Sequence, residues 1–175
     1  MKSHLDDRRD PIALFLECLP RVAAVFEGQL AQCTSPLEVA WAVCDYAGRA
    51  LHLDDCVVYL TDAGGTTVSQ CAAWGGKRVA RQVLENRIVL RFGEGIVGTC
   101  ALTGAPQVVP DTRLDPRYVR DDAMRLSELA VPIVFQGRLL GVIDTEHAQA
   151  DHYRSAHIRA LAEIGARAAA RLAVL

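Results

Sequence analysis

The sequence lacks the surplus of positive charge that nucleic-acid-binding domains carry. Its 175 residues contain 19 lysines and arginines against 21 aspartates and glutamates, so the formal net charge is -2. It also has no apolar run near the roughly 20 residues that a bilayer-spanning helix needs, and no apolar segment of the signal-peptide kind follows residues 1–10. We therefore predict no nucleic-acid partner, no membrane partner and a cytoplasmic location.

Closely spaced cysteine pairs are missing as well. No two of the cysteines form a Cys-x-x-Cys pair, and each lies in an otherwise apolar stretch. Free cysteine behaves as a small buried hydrophobic residue in reduced proteins, so we expect neither disulfides nor a metal site. The six cysteines are Cys18, Cys33, Cys44, Cys56, Cys71 and Cys100.

Helical periodicity marks both ends of the chain. Apolar residues recur at spacings of three and four over residues 12–31, which predicts an amphipathic helix that Pro20 kinks or divides. A second helix is predicted from Pro36 to about Leu51, because a hydroxyl side chain precedes it and proline suits a first turn. A last helix is predicted over about 153–175.

Between these helices the pattern becomes that of strands and turns. Residues 76–86 fit either a short helix or a loop, and residues 111–126 a loop with room for one helical turn. A short helix is predicted at 95–103. Strands are predicted at 56–61, 66–73, 87–92, 107–109, 129–135 and 139–144, the last two forming a hairpin.

This order of elements predicts one domain of the α/β (α+β) class. Its centre is a mostly antiparallel sheet of about six strands, and its helices come from both ends of the chain. No low-complexity linker divides the sequence. We therefore assign an N-terminal tail to residues 1–11 and a single domain to residues 12–175.

Residues 93–98 (GEGIVG) formally match the Gly-x-Gly-x-x-Gly pattern of dinucleotide-binding folds. Glu94 places a carboxylate where a pyrophosphate needs bare backbone N–H groups. The helix that follows meets Gly104 and Pro106 after about two turns, whereas a parallel crossover needs a dozen or more residues. The sequence therefore argues against a dinucleotide cofactor.

Two runs of sequence carry a family resemblance. Residues 91–118 (RFGEGIVGTCALTGAPQVVPDTRLDPRY) resemble the middle of a GAF domain, with a glycine-spaced loop, a short helix, a strand and an Asp-rich turn. Residues 127–147 (SELAVPIVFQGRLLGVIDTEH) resemble its closing hairpin. With the flanking helices, the resemblance covers about residues 20–172, and the IDTEH ending is similar to GAF domains attached to bacterial sensor kinases.

The resemblance implies a GAF/PAS-like fold, with the N- and C-terminal helices on one face of the sheet and residues 93–126 over the other. It implies a non-catalytic, small-molecule-sensing and dimerising module of bacterial signal transduction, as in two-component systems. The implied partners are an unidentified small-molecule ligand, a second copy bound through the terminal helices, and a kinase or another output domain. A purely dimerising module is an alternative.

The resemblance also brings in an enzyme, because free methionine-(R)-sulfoxide reductase is a GAF-family member that works through cysteine thiolates. That enzyme has a cysteine between the last two glycines of the loop, where this chain has Val97, and another before the Ser-Glu pair, where this chain has none. The acids Glu128, Asp144 and Glu146 are retained. Since the reaction needs a nucleophilic and a resolving thiol, we predict no enzyme activity and keep the reductase as an alternative.

No cofactor is expected, because the NKxxF motif of cyclic-nucleotide binders and the Cys-His pair of bilin binders are both missing. His147, His152 and His157, spaced five apart, are not expected to converge on a metal. The resemblance implies that a ligand lies under the short helix and the Asp-rich loop. No catalytic or metal-binding residue is assigned, and the candidate ligand-binding residues are Trp74, Val97, Cys100, Asp111, Tyr118, Met124, Glu128, Asp144 and Glu146.

Overall fold

The computed structural model describes residues 10–121 and 123–175. Residues 1–9 of the predicted tail lie outside the described residues, and Pro11, its last residue, begins the first helix instead. The α-helices of the described residues are Pro11–Glu17 (α1), Leu19–Gln32 (α2), Pro36–Ala50 (α3), Gly95–Thr103 (α4) and Ser155–Leu172 (α5).

Six of the strands form one antiparallel sheet in the order β5-β2-β1-β8-β7-β6, and β3 and β4 form a separate hairpin. This architecture confirms the predicted fold class. The strands are Cys56–Thr61 (β1), Thr67–Trp74 (β2), Arg78–Ala80 (β3), Val83–Leu84 (β4), Val89–Arg91 (β5), Gln107–Val109 (β6), Ser127–Phe135 (β7) and Arg138–His147 (β8).

The two faces of the sheet carry two separate apolar clusters, because successive strand side chains point in opposite directions. On one face, Val58 and Ile143 belong to a cluster in which the sheet packs against α3 and α5, and α1 and α2 pack in turn on those two helices. On the other face, Val57 and Val142 pack beneath α4. The helix α4 and the chain that follows it therefore form the cover of a second, smaller core.

Three local features refine the predictions. The predicted helix over 12–31 is divided at Cys18, two residues before Pro20. The uncertain residues 76–86 contain the β3–β4 hairpin and no helix. Pro132 lies within β7, but β6 pairs only with residues 128–130 of that strand. The missing N–H of Pro132 therefore costs no hydrogen bond between β7 and β6.

Among residues 10–121 and 123–175, no helix is both long enough and apolar enough to cross a bilayer.

Gly141 of β8 is paired with Leu60 of β1, and it provides a test of this register. A Cβ atom at Gly141 would lie 2.3 Å from the carbonyl oxygen of Tyr59, so we expect Gly141→Ala to lower the free energy of unfolding by about 1–3 kcal/mol. Gly28 lies on the exposed side of α2, where an added Cβ atom would have no neighbour within 4 Å, so Gly28→Ala should instead stabilise by about 0.5–1 kcal/mol. Urea unfolding measures the free energy of unfolding of both variants. Equal changes in the two variants would contradict the register.

Candidate ligand-binding site

A small, partly open cavity of about 20 Å³, room for about one water molecule, lies between the sheet and α4, on the face opposite the other helices. Its floor comes from β1, β7 and β8, and its roof comes from α4 and the chain before β7. The side chains are of two kinds, carboxylates and aliphatic or aromatic groups. The lining residues are Asp55, Val57, Tyr59, Ile88, Leu90, Gly95, Ile96, Val97, Val119, Asp121, Glu128, Asp144 and Glu146.

Strand register brings the carboxylates of the floor together. Glu128 of β7 lies directly opposite Glu146 of β8, and Asp144, two residues before Glu146, shares its face. Asp144 in turn lies beside Val57 of β1, and Asp55 precedes Val57 on the same side. The Asp55 Oδ1 atom accepts the backbone N–H of Glu146 at 3.0 Å. This bond holds the Asp55 side chain beside the other three acids.

These acids are buried, and burial dominates their chemistry. Asp144 is 6% exposed, and its Oδ1 atom has no hydrogen-bond partner among the described residues. Desolvation, followed by the charge of Glu128, raises the pKa of Asp144 well above its usual range. Desolvation, followed by the charge of Glu146, does the same to the pKa of Glu128. Burial and mutual repulsion therefore favour the protonated forms of Asp144 and Glu128.

A lysine and an amide lie behind Asp121, outside the lining of the cavity, and both contact its carboxylate. Lys77 forms an ion pair with Asp121 Oδ2, and the Gln70 Nε2 atom donates to the same oxygen at 2.8 Å. Gln70 also donates to the Tyr59 hydroxyl at 2.8 Å. Desolvation, followed by the charge of Asp144, raises the pKa of Tyr59 well above its usual range, so this hydroxyl keeps its proton.

Four of the nine candidate residues lie in the lining: Val97, Glu128, Asp144 and Glu146. Tyr118 packs beside the same apolar cluster, and its hydroxyl accepts the Arg125 backbone N–H at 3.2 Å.

The other four candidates lie outside this lining, each for a local reason. Trp74 lies on the helical face, against Gly48, with its Nε1 atom donating to Leu53 at 3.0 Å. Cys100 is fully buried in α4, and desolvation raises its pKa to about 12. Asp111 is bound by Arg113, and Met124 is 52% exposed.

The three histidines come together, contrary to the expectation from their spacing. The rings of His147 and His152 stack at 3.5 Å, and those of His152 and His157 lie 5.2 Å apart. That expectation treated the segment as one helix, whereas His147 ends β8 and only His157 lies in α5. Within the described parts of the chain, no group of three or more potential ligands is arranged to hold a metal.

Sequence reasoning missed Asp55, Tyr59, Asp121, Gln70 and Lys77. One signal was present, since Asp55, Val57 and Tyr59 alternate along a predicted strand and must share one face. The contacts of Asp121 with Gln70 and Lys77 span 51 and 44 residues of sequence, and no local pattern indicates them.

Comparisons with known proteins agree with this architecture. A family model described as GAF domain matches residues 35–172. The chain is 35% identical over 86 residues to the free methionine-R-sulfoxide reductase of Saccharomyces cerevisiae, covering 42% of this chain and 48% of that protein. The chain thus spans about half of that relative, and less of the other curated relatives it matches.

Solved structures share the fold at lower identity. A free methionine-R-sulfoxide reductase from Neisseria meningitidis, in complex with its substrate, superposes with a TM-score of 0.75 at 23% identity, covering 99% of this chain and 96% of that one. The GAF domain of an Acinetobacter phosphoenolpyruvate-protein phosphotransferase superposes with a TM-score of 0.75 at 18% identity, covering 92% and 93%. The fold therefore occurs in a methionine sulfoxide reductase and in the GAF domain of a phosphotransferase.

The buried acid Asp144 predicts an unusual pH dependence of stability. A group whose pKa is raised by folding stabilises the fold below its unfolded pKa, and this contribution is lost as the pH rises through the folded pKa. We therefore expect Asp144→Asn to be more stable than the wild type at pH 8, by about 1 kcal/mol or more, and the gain to shrink as the pH falls toward 4. Urea unfolding of the wild type and of Asp144→Asn at several pH values measures this difference in the free energy of unfolding.

Asp111→Asn is the matched control for this experiment. A hydrogen bond from Arg113 lowers the pKa of Asp111, so its contribution to stability is present at pH 8 and lost at low pH. This variant should gain nothing at pH 8. The same pH dependence in both variants would contradict the assignment to Asp144.

Proposed function

Because the chain belongs to the GAF domain family, we propose that it binds a small molecule through an ammonium group in the carboxylate-lined cavity and does not catalyse a reaction on it. The observation that carries the proposal is that Asp144 lines the cavity and that its buried Oδ1 atom has no hydrogen-bond partner among the described residues. An unsatisfied carboxylate oxygen is costly in the apo protein, and a cationic donor removes that cost.

Charge supports an ammonium rather than an anion or a neutral group. Glu128, Asp144 and Glu146 line one floor with Asp55 beside them, and mutual repulsion helps to raise the pKa of Glu128 and Asp144. A bound cation favours the ionised form of both acids and lowers their pKa. Binding is therefore coupled to proton release.

The rest of the lining predicts a second property of the ligand, an apolar chain. Val57, Ile88, Leu90, Ile96 and Val119 provide an aliphatic wall beside the acids, so the ammonium is expected to carry a short apolar chain. Free amino acids and small alkylamines have both features. The yeast relative is a reductase of free methionine sulfoxide by name, which supports the same class of ligand.

A regulatory role also belongs to this proposal. The Thr145 hydroxyl donates to the Asp55 backbone at 2.6 Å and contacts the Tyr153 hydroxyl at 3.0 Å, just before α5. These bonds connect the acid floor to a terminal helix. We propose that ligand binding changes the setting of α5 and, through a homodimer of the terminal helices, an output domain.

The reductase is the second candidate, favoured by the yeast relative and by the three retained acids. The positions of the thiols argue against a reductase. None of the six cysteines lines the cavity, and all six lie within the described residues. The loop side chains that line the cavity before β7 are Val119 and Asp121, and neither can form a sulfenic acid.

Calorimetric titration tests the ammonium site with L-methionine and with 4-(methylthio)butanoate, which differs only in lacking the amino group. We expect L-methionine to bind at least about tenfold more tightly, and its binding to release protons at pH 7, as measured in buffers of different ionisation enthalpy. Asp144→Asn should lower the affinity for L-methionine about tenfold, whereas Asp111→Asn should leave it unchanged. Equal binding of the two compounds would contradict the proposal.

An assay of free methionine-(R)-sulfoxide reduction with dithiothreitol tests the non-catalytic part. We expect no turnover above the rate without protein, because the pocket offers no thiolate. Turnover by the wild type that is lost in Cys100→Ser would establish the reductase instead.

A further inference from the structure

Two buried donors converge on a single carboxylate oxygen beside the ligand cavity. The Lys77 ammonium and the Gln70 amide both donate to Asp121 Oδ2. Lys77 is 3% exposed and Gln70 is 0% exposed. Because an isolated buried ammonium is strongly unfavourable, this pair of donors requires an anion at that point.

The Gln70 side chain is positioned by the sheet, independently of Asp121. The Gln70 Oε1 atom accepts the backbone N–H of Ile88 at 3.0 Å, which leaves Nε2 to donate to the Tyr59 hydroxyl and to Asp121, two residues that line the cavity. Gln70 belongs to β2, and Lys77 directly precedes β3. Asp121, in contrast, belongs to the irregular chain between the 3-10 turn Thr112–Leu114 and β7. The two donors therefore come from a strand (Gln70) and from the turn before β3 (Lys77), and the carboxylate that they bind comes from a third, irregular segment.

We propose that Lys77 and Gln70 form a carboxylate-binding subsite in which the Asp121 side chain stands in for the carboxylate of a ligand. The ligand is then an α-amino acid, with its ammonium on the Glu128–Asp144 floor and its carboxylate on Lys77 and Gln70. The ammonium end rests on the proposed function, whereas the carboxylate end rests on the two donors alone.

Charge balance favours this exchange over binding of a simple amine. Replacing one carboxylate by another leaves the buried Lys77 paired, so no charge becomes uncompensated in the interior. The released Asp121 side chain can return to solvent, because the loop carries it at the rim of the cavity, 19% exposed. Asp121 thus competes with the ligand, and its removal is expected to improve binding of carboxylates only.

Titration of L-methionine and of 3-(methylthio)propylamine, its counterpart without the carboxylate, measures this subsite as a ratio of affinities. We expect the preference for L-methionine to increase about tenfold in Asp121→Asn and to disappear in Lys77→Met. Arg81→Met, which removes an exposed cation from the turn between β3 and β4, should keep the wild-type ratio. A ratio unchanged by Lys77→Met would overturn the proposal and make Lys77 structural.

Thermal unfolding with sodium acetate tests the subsite without an amine. Asp121→Ala and Asp121→Asn leave Lys77 without its carboxylate, so both should melt below the wild type and recover in acetate more than in chloride of equal ionic strength. Lys77→Met/Asp121→Ala should show no such recovery. If acetate has no specific effect on either single variant, the subsite is refuted. If acetate acts but no amine binds the wild type, only the proposed function fails.

Discussion

Antiparallel register forces carboxylates of neighbouring strands onto one covered face of the sheet, and the chemistry of the molecule depends on this crowding. Glu128 and Glu146 are cross-strand partners, and Asp144 follows on the same face. Since α4 and the chain before β7 close this face, water cannot screen the acids as it does at a surface. The raised pKa values, the unpartnered Asp144 oxygen and the buried Lys77–Asp121 pair all reflect this enclosure. A floor of this kind is costly in a protein that only dimerises, but it suits one that binds a cation.

The same fold occurs in a sulfoxide reductase and in a GAF domain of a phosphotransferase, so the side chains of the cavity, and not the fold, indicate the chemistry. The acids that resemble those of the sulfoxide reductases are present in the cavity, whereas the thiols are not. Cys100 is the cysteine nearest to the glycine-spaced loop, and it is buried in α4 with its pKa raised to about 12. A thiol that remains protonated is a poor nucleophile. The geometry therefore favours recognition of an amine over chemistry on a sulfoxide.

Local signals in the sequence predicted much of the fold. The short helix at 95–103 is bounded by glycines, and the strand at 107–109 ends at a proline, so both were predicted at their observed bounds. The β3–β4 hairpin was missed because strands of three and two residues show no alternation. Within the site, Glu128, Asp144 and Glu146 came from the family resemblance. Asp121 could not be predicted, because its contacts with Lys77 and Gln70 depend on how a loop folds back over the sheet.

The most direct test of the account is native mass spectrometry of the purified protein, recorded under gentle and then denaturing conditions. We expect an added mass that is present in the gentle spectrum, disappears on denaturation, and belongs to a small molecule with a primary amino group. An adduct without an amino group would contradict the account. So would an apo spectrum that stays unchanged after incubation with a millimolar mixture of free amino acids and alkylamines.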